Sequence, residues 1–595
     1  MPSSTMPTTT ADIQPHRFEW RKSVKGVWER DIDECEEFYR LSAREGSGCY
    51  PVTGYASFTT DLSSTTATAN ESDNDDEIGR RIQDAFRKAW MTLCYRHPTL
   101  RSRIEHDETS KQWRRVYSTF KNKDEEQDWL SLTFKTVDID VAPMQWFNTD
   151  STNFEVPTLF LVRSKAETQC NQNVFLRCPH DITDGVGTLQ LVDQLFAHAA
   201  TACDQGVKYV LPTWGDEHKQ LSPSLRVAAA IPESFSDAQN ERFKEIQTRN
   251  GTVYNHAGLL GLPSTSAAAV SQKGKRQRLS KIVPKDTTGN ILRGCKTIAP
   301  SISVTHVFLS ALAQALSELQ PQKKESYLVR YVNHSMINLR PYCRDPYNTP
   351  DHAAAAYHTV SAQALGIGLI VPGASASKAN DLSQIAVKVR DYYKTVRPVF
   401  SIDDQVLLAP LMFKALTPAP SSDPHAVSDP PFCPVALSSI GNVSSMVSPM
   451  HGPFQITNTW AASEPIGAGV ALFLGTWDGK IELSSVFDTR YHDAAYVEKF
   501  LGRIVNCVGR GLGIDQHATP SQGTPVETTE SRKRKRDGEE SQADNNEDDS
   551  SGRPSKSPVR SALQERPALG NAQRISSKKV EENTADDLCV EVSGL

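Results

Sequence analysis

The sequence lacks the long apolar segment that a membrane-spanning helix requires. A span takes about 20 consecutive apolar residues, whereas the most apolar run of this chain, Ala468–Leu474, is far shorter. The first 20 residues are rich in Ser, Thr and Pro and carry no leucine-rich stretch of the kind found in secretory signals. We therefore expect a protein that works in the cytoplasm and does not act on a membrane.

The chain also lacks an excess of basic charge. Its 65 Lys and Arg residues are balanced by 71 Asp and Glu residues, which gives a formal net charge of −6. A nucleic-acid binder with a cationic surface is therefore not expected. One basic run, Arg532–Arg536, is typical of nuclear-localisation signals. Acidic residues follow it directly and weaken its field within a Debye length of about 8 Å. We interpret the run as a solvated charge block and keep nuclear localisation as the alternative.

Paired cysteine motifs are absent. The eleven cysteines include no C-x-x-C pair, and their odd number, without a secretory signal, argues against a disulfide scaffold. The same pattern argues against a zinc ribbon. We expect reduced thiols and no bound metal.

Aromatic side chains are absent from the last part of the chain, where none occurs after Phe500. A segment so poor in apolar residues cannot offset the cost of ordering its backbone, about 1–2 kcal/mol per residue. Together with other shifts in composition, this predicts five segments. They are a flexible N-terminus (1–19), a first lobe (20–215), a connecting region (216–286), a second lobe (287–513) and a disordered tail (514–595).

Helix and strand patterns alternate in both lobes. From Glu77 to Tyr95, apolar residues recur every three or four positions, which predicts an amphipathic helix. The alternation favours a mixed α/β fold over a helical bundle or a β-sandwich. The stretch from about Pro212 to Asp286 is predicted to be irregular. Further helices are predicted at Gly187–Cys203, Thr305–Leu319 and Asp493–Val508, and strands at Thr158–Arg163, Asn173–Cys178, Tyr327–Val332, Ser335–Leu339, Ala468–Thr476 and Lys480–Phe487.

The motif that carries chemistry is His180-Asp-Ile-Thr-Asp184-Gly185. It lies between a predicted strand and a predicted helix, where a loop histidine can reach a cleft. A histidine can accept a proton at physiological pH. Gly185 allows a tight turn with positive φ or a close backbone approach. Asp184 either orients the imidazole or turns away and holds the loop in an ion pair.

Two other interpretations of the motif stay open at the level of the residues alone. His180 and Asp184 could be two ligands of a metal, although no convincing third ligand is present in the sequence. The segment could also be a helix-capping loop without chemistry.

The order of several segments resembles that of the CoA-dependent acyltransferase superfamily, which includes chloramphenicol acetyltransferase, plant BAHD enzymes and peptide-synthetase condensation domains. The resemblance covers roughly Trp20 to Gly513 and is nearest to fungal acetyltransferases of the trichothecene 15-O-acetyltransferase type. Besides His180–Gly185, the matching segments are Arg96–Arg103 (the "hPxLR" segment), the helix Thr305–Leu319, Ile337–Pro341 (the "vNxR" strand), the loop Ser438–Asn442 and the closing strand and helix Leu483–Phe500.

The resemblance implies two chloramphenicol-acetyltransferase-like α/β domains, arranged as a pseudo-dimer with the active site in a tunnel between them. His180 would be the general base that takes a proton from the acceptor hydroxyl as it attacks the thioester. Asp184 would be structural and would pair with Arg340. The resemblance implies a monomer that binds acyl-CoA, in particular acetyl-CoA, and a hydroxylated small molecule, without a permanently bound cofactor. Tunnel-lining candidates are Asn338, Ser439 and Asn442.

The sequence departs from this family at two points. Pro179 stands where condensation domains usually carry a first histidine, and the plant D-F-G-W-G signature is absent. We therefore predict an acyl-CoA-dependent O-acyltransferase that acts on a fungal secondary metabolite. The alternatives are a condensation-like enzyme that takes its acyl group from a carrier protein, and a catalytically inactive nuclear or scaffold protein.

Overall fold

The structure is a computed structural model of the 595-residue chain. It describes residues 17–514 except 25, 44–48, 62–70, 150–153, 167–170, 257, 266–273, 375–379, 399–403 and the positions 420, 421, 424, 426, 429 and 430. The predicted flexible N-terminus and disordered tail therefore lie outside the described residues, apart from 17–19 and 514.

The described residues form a mixed α/β fold, as the sequence predicts. The strands are β1 (Arg21–Lys22), β2 (Trp28–Asp31), β3 (Pro51–Thr60), β4 (Arg103–Asp107), β5 (Gln112–Tyr117), β6 (Phe134–Ile139), β7 (Thr158–Ser164), β8 (Asn171–Pro179), β9 (Arg276–Val283), β10 (Tyr327–Asn333), β11 (Met336–Asn338), β12 (His358–Val360), β13 (Leu365–Val371), β14 (Val435–Asn442), β15 (Met450–His451), β16 (Phe454–Ser463), β17 (Val470–Trp477) and β18 (Lys480–Asp488).

The helices alternate with these strands along the chain. They are α1 (Glu34–Leu41), α2 (Glu71–Arg96), α3 (Lys123–Thr133), α4 (Pro143–Thr149), α5 (Gly185–Gln205), α6 (Leu225–Ala228), α7 (Asp237–Tyr254), α8 (Lys285–Ile298), α9 (Val304–Glu318), α10 (Leu382–Val396), α11 (Asp404–Leu407), α12 (Ala409–Leu416) and α13 (Ala494–Leu512).

A six-stranded sheet carries the strand that leads to His180. Its order is β15-β16-β3-β8-β7-β6, and its pairs are antiparallel except β6 with β7. Helices α2 and α5 pack against it through a buried aromatic cluster of Phe58, Phe86, Phe196 and Phe454. Burial of these large rings fixes the position of α5, and hence of the loop before it.

A four-stranded sheet, β14-β17-β18-β9, forms the second layer. Its buried face, with Leu472 and Leu483, packs with α9 and α13 through Leu312 and Phe500. The hairpin of β17 and β18 turns at Asp478-Gly479, and both residues have positive φ, 46° and 70°. That is the conformation a two-residue D-G turn adopts, so the hairpin prediction is confirmed.

Strand order and chain order differ in both sheets. Strand β16, from the second half of the chain, pairs with β3 in the six-stranded sheet over Phe454–Ser463. Strand β9 pairs with β18, at the end of the other sheet. Aromatic residues from both sheets, including Tyr55, Phe175 and Phe473, meet in one buried cluster. The two sheets are therefore held together by apolar packing.

The prediction of an irregular stretch from Pro212 to Asp286 is wrong. Helix α7 spans 18 residues there, and β9 follows it. Helix α7 is mostly polar and buries few of its residues, Ile246 and Asn250 among them, so it gives a weak periodic signal. Its N-terminus has a capping box of Ser236 and Gln239, which is the sequence feature that indicates it.

A buried ionic network ties the strands β2 and β5 to the loop after His180. Glu36 accepts hydrogen bonds from Nη1 and Nη2 of Arg30, at 2.6 and 2.7 Å, and from Arg115 Nε at 2.6 Å. Arg115 also donates to the Asp181 carboxylate at 2.6 Å. Burial alone would raise the pKa of Glu36, but the two guanidinium groups lower it to about 2.

We expect Glu36→Gln to lower the free energy of unfolding by about 3–5 kcal/mol, because it leaves the buried Arg30 without its carboxylate and Arg115 with Asp181 alone. The pKa of Glu36 is depressed in the folded state, so its stabilisation is present above its unfolded pKa and is lost as the pH falls towards 2. Guanidinium chloride unfolding followed by tryptophan fluorescence measures the difference. The control is Glu108→Gln, which removes an exposed ion pair with Lys111. An equal effect of both substitutions would contradict the importance of the network.

Candidate active site

The loop that carries His180 is fixed at both ends by backbone hydrogen bonds and helix capping. At its start, the amide of His180 donates to the carbonyl of Tyr50 at 2.7 Å, directly after β8 ends. At its other end, Asp184 is the N-cap of α5 and accepts from the amide of Gly187 at 2.8 Å. The histidine therefore lies on a short loop between two rigid elements.

Asp184 turns away from His180 and joins distant parts of the chain. Its Oδ1 accepts from Arg340 Nη2 at 3.1 Å, and its Oδ2 accepts from the amide of Tyr357 at 2.8 Å. With the Gly187 amide, these bonds use both carboxylate oxygens. Of the two orientations that the sequence leaves open for Asp184, the structure has the ion pair.

Gly187, two residues after Gly185, has no room for a side chain. A Cβ at Gly187 would lie 2.2 Å from the carbonyl oxygen of Ala353 and 2.3 Å from Arg340 Nη2. Gly185 is the first residue of α5 and does not have positive φ, so the positive-φ turn considered for it from the sequence does not occur. The reason is that Asp184 caps the helix, which gives its first residue ordinary helical geometry.

His180 lines a cavity of about 650 Å³. The side chain is 6% exposed. Nδ1 is buried without a hydrogen bond of normal geometry. Nε2 is not buried in this way, and it is the nitrogen that faces the cavity. The cavity takes its wall from several distant segments, which include Phe38, Tyr39, Tyr50, Val186, His334, Asn338, His358, Phe413, Ser438, Ser439, Met446, Ser463, Glu464 and Phe473.

Tyr39 holds the plane of the His180 ring. The two rings are stacked, with centroids 4.1 Å apart and planes 7° apart. The Tyr39 hydroxyl is in turn 2.8 Å from Nε2 of His358. The His358 ring lies 5.5 Å from that of His180, and its Nδ1 lies 3.9 Å from the Asp184 carboxylate. These contacts leave the imidazole of His180 little freedom to rotate.

Both histidines are held in the neutral form. Burial lowers the pKa of His180 below 6.5, and the carbonyl groups of His180 and Thr183 and the charges of Asp184 and Asp181 offset only part of this effect. Burial also lowers the pKa of His358, to about 3. A neutral His180 at pH 7 can accept a proton at Nε2.

Most of the other predicted residues line the cavity with His180, but one of them does not. Gly185, Asn338, Arg340 and Ser439 line the same cavity. Asn338 accepts from the amide of Arg340 at 3.0 Å, and the Ser439 hydroxyl is 2.8 Å from that of Thr305. Asn442 does not line the cavity and is exposed. A β-bulge at Ser439–Gly441, with Gly441 at φ 86°, changes the register of β14 before it reaches Asn442.

Sequence reasoning missed Tyr39, His334 and His358. None of them belongs to a recognisable motif, and each is far from His180 along the chain. The only sequence signal for Tyr39 is its place in α1, where a capping box formed by Asp33 and Glu36 marks the start of the helix.

Within the described ranges, no cluster of three or more His, Cys, Asp or Glu side chains is arranged to hold a metal ion. In the same part of the chain, no helix combines the length and the apolar character needed to cross a membrane.

No protein-family profile matches the chain, but individual proteins do. The acetyltransferase pigO of Monascus ruber is 24% identical over 441 residues, which cover 73% of this chain and 87% of pigO. The O-acetyltransferase pigM of the same organism is 24% identical over 524 residues, 83% of this chain and 88% of pigM.

Solved structures share the fold. TRI3 trichothecene 15-O-acetyltransferase from Fusarium sporotrichioides superposes with a TM-score of 0.65 at 14% identity, over 83% of this chain and 98% of TRI3. The starter condensation domain of rhizomide synthetase, solved with C8-CoA, gives a TM-score of 0.50 at 11% identity, over 82% of this chain and 95% of that domain. The predicted resemblance to fungal acetyltransferases is confirmed by pigO and pigM, and the predicted α/β fold is confirmed by the solved structures.

We expect Asp184→Asn to lower the free energy of unfolding by about 3–5 kcal/mol, because Arg340 would stay buried without a charge partner. Chemical unfolding measures the change. The control is Asp138→Asn, which removes an exposed pair with Arg163. A denaturation midpoint equal to that of the wild type would rule out a structural role for the Asp184–Arg340 pair.

We expect Tyr39→Ala to raise the pKa of His180 towards 6.5, because loss of the stacked ring admits water to the imidazole. His180 would then be protonated at a higher pH than in the wild type, and its activity as a base would be lost at that higher pH. NMR titration of the ¹³C-histidine-labelled protein, with His180 assigned from His180→Gln, measures this. Tyr39→Phe keeps the stacked ring and is the matched control. Identical pKa values in the Ala and Phe variants would refute the shielding role of Tyr39.

Proposed function

We propose that this protein is an O-acetyltransferase that moves an acetyl group from acetyl-CoA to a hydroxyl of a secondary metabolite. The observation that carries the proposal is a neutral histidine, fixed in orientation, whose Nε2 faces a 650 Å³ cavity. The resemblance to pigO, pigM and TRI3 supports the reaction class. Acyl-CoA is a co-substrate in this reaction, and no resident cofactor is needed.

In the proposed reaction, Nε2 of His180 accepts the proton of the acceptor hydroxyl as its oxygen attacks the thioester carbonyl. The C–S bond then breaks, the ester C–O bond remains, and the imidazolium returns its proton to the CoA thiolate. No covalent enzyme intermediate forms. A positioned base contributes a factor of about 10²–10⁴ to the rate. Holding both substrates in one cavity lowers the entropic cost of bringing them together.

Asp184 and Arg340 have a structural role in this proposal. Both Asp184 oxygens are already occupied by Arg340, Gly187 and Tyr357, so the carboxylate does not relay a proton. The hydroxyl of Ser439, on the same cavity wall, is a candidate donor to the oxyanion that develops on the thioester.

The acceptor can be identified from the organism that encodes the protein. Deleting the gene should cause the unacetylated metabolite to accumulate, and its mass should be 42 Da below that of the lost product, the mass of one acetyl group replacing a hydrogen. The purified chain should then acetylate this metabolite with acetyl-CoA. Faster transfer from an acetylated carrier protein would instead favour the condensation-like alternative.

We expect His180→Ala to lower kcat for this acetylation by about 10²–10⁴ while the unfolding midpoint stays near that of the wild type. Thiol release from acetyl-CoA and mass spectrometry of the product measure the rate. His106→Ala, at a histidine outside the cavity, should retain wild-type turnover. Turnover by His180→Ala at the wild-type rate would exclude the base role.

A further inference from the structure

A second histidine, His334, contributes to the wall of the same cavity without a role in the proposed reaction. It lies between β10 and β11 and is 7% exposed. Its Nδ1 is 2.8 Å from the carbonyl oxygen of Ser361. This contact explains how the ring is oriented, but it involves only one of the two nitrogens.

The contact with Ser361 fixes the tautomer of His334. A carbonyl oxygen can only accept, so Nδ1 carries the proton and Nε2 has a free lone pair. Burial lowers the pKa of His334, and its hydrogen bond to Ser361 offsets this in part, so the ring is neutral. Nε2 has no hydrogen-bond partner among the described residues and is not sealed within the protein. It is therefore an unused acceptor at the cavity surface.

The antiparallel register of β11 and β12 places His334 near the Val360 end of β12, away from the His358 end. Strand β12 begins at His358, whose ring is 5.5 Å from that of His180. His358 and Val360 both line the cavity, and Ser361, which binds His334, follows Val360. Three residues of extended chain span about 10 Å. His334 therefore lies beside the end of this segment opposite to His358, which is the histidine that packs near His180.

The charges of the cavity wall indicate that the acceptor is neutral. Asp184, Arg340 and Glu464 are the charged residues among its described lining. Asp184 and Arg340 neutralise each other, and Glu464 lies 3.8 Å from Arg276. A charged acceptor would lose its hydration without gaining an unpaired counter-charge. The remaining lining is largely aromatic and aliphatic, which suits an apolar skeleton.

From these observations we propose that Nε2 of His334 is a binding site for a second hydroxyl of the acceptor, remote from the hydroxyl that is acetylated. The acceptor is an uncharged, largely apolar molecule with a second hydroxyl group away from the one that is acetylated. This proposal rests on the proposed function and specifies the acceptor chemistry of that same site.

A purely structural role for His334 makes a different prediction. Tyr254 stacks on the ring at a centroid distance of 6.0 Å, so packing alone could account for its burial. The variant His334→Phe keeps an aromatic ring against Tyr254 but has no acceptor atom. It therefore separates packing from hydrogen bonding.

The test uses the metabolite purified from the deletion strain and its ether, methylated at the hydroxyl that is not acetylated. For the metabolite, we expect His334→Phe to raise KM about tenfold, the effect of one lost hydrogen bond, with kcat close to that of the wild type. For the methyl ether, wild type and variant should have equal KM. The surface variant His106→Phe should leave KM unchanged for both compounds.

Once the metabolite is known, two results with it would overturn the proposal: a metabolite without a second hydroxyl, or equal KM values of wild type and His334→Phe for the unmethylated compound. Both require that the wild type acetylates the metabolite, so they are distinct from failure of the proposed function, in which no acetylation occurs. A third measurement needs no acceptor. In ¹⁵N-histidine NMR of the full chain, with His334 assigned from His334→Phe, Nε2 should be unprotonated at pH 7, and a protonated Nε2 would also overturn the proposal.

Discussion

The ion pair of Asp184 with Arg340 is the contact on which the geometry of the site depends. One carboxylate caps α5, binds a guanidinium from the 3-10 turn after β11 and accepts from the backbone just before β12. The turn at Arg340 and the backbone at Tyr357, 156 and 173 residues away from Asp184, are therefore fixed to the end of the loop that carries His180. Because the pair is buried, solvent screens its electrostatic attraction only weakly, and the loop has few alternative positions. The absence of a side chain at Gly187 is part of the same constraint, since any Cβ would occupy the place of the Arg340 guanidinium.

A second layer of contacts governs the histidine itself. The stacked ring of Tyr39 covers one face of the imidazole, and the hydrogen bond to His358 holds that ring in place. The ionic network of Arg30, Glu36 and Arg115 anchors α1, the helix that carries Tyr39, and also binds Asp181 beside His180. Burial then lowers the pKa of His180. Orientation and neutrality thus have the same physical origin, namely close packing around a single ring.

The cavity exists because strands cross between the two halves of the chain. Strand β16 pairs with β3, next to the strand that leads to His180, and β17 continues from it into the other sheet. The wall facing His180 therefore comes from α1, β11, β12 and β14 as well as from the crossover. In such an arrangement one end of the cavity can hold the base while the far end, at His334, recognises a remote part of the acceptor.

The sequence by itself determined the fold class, most of the long helices and strands, and the loop with His180, Asp184 and Gly185. These features depend on local patterns: apolar periodicity, turn residues and the order of short motifs. Helix α7 was not predicted because it buries few residues and so has no clear apolar periodicity. Asn442 was expected to line the cavity, but a β-bulge before it, which residue types do not reveal, changes the register of the strand. Only the tertiary structure decided that Tyr39, His358 and His334 share a cavity with His180. Their proximity results from strand pairing and long-range packing between segments that are each more than 100 residues from His180 along the chain, and no local pattern in the sequence encodes such a contact.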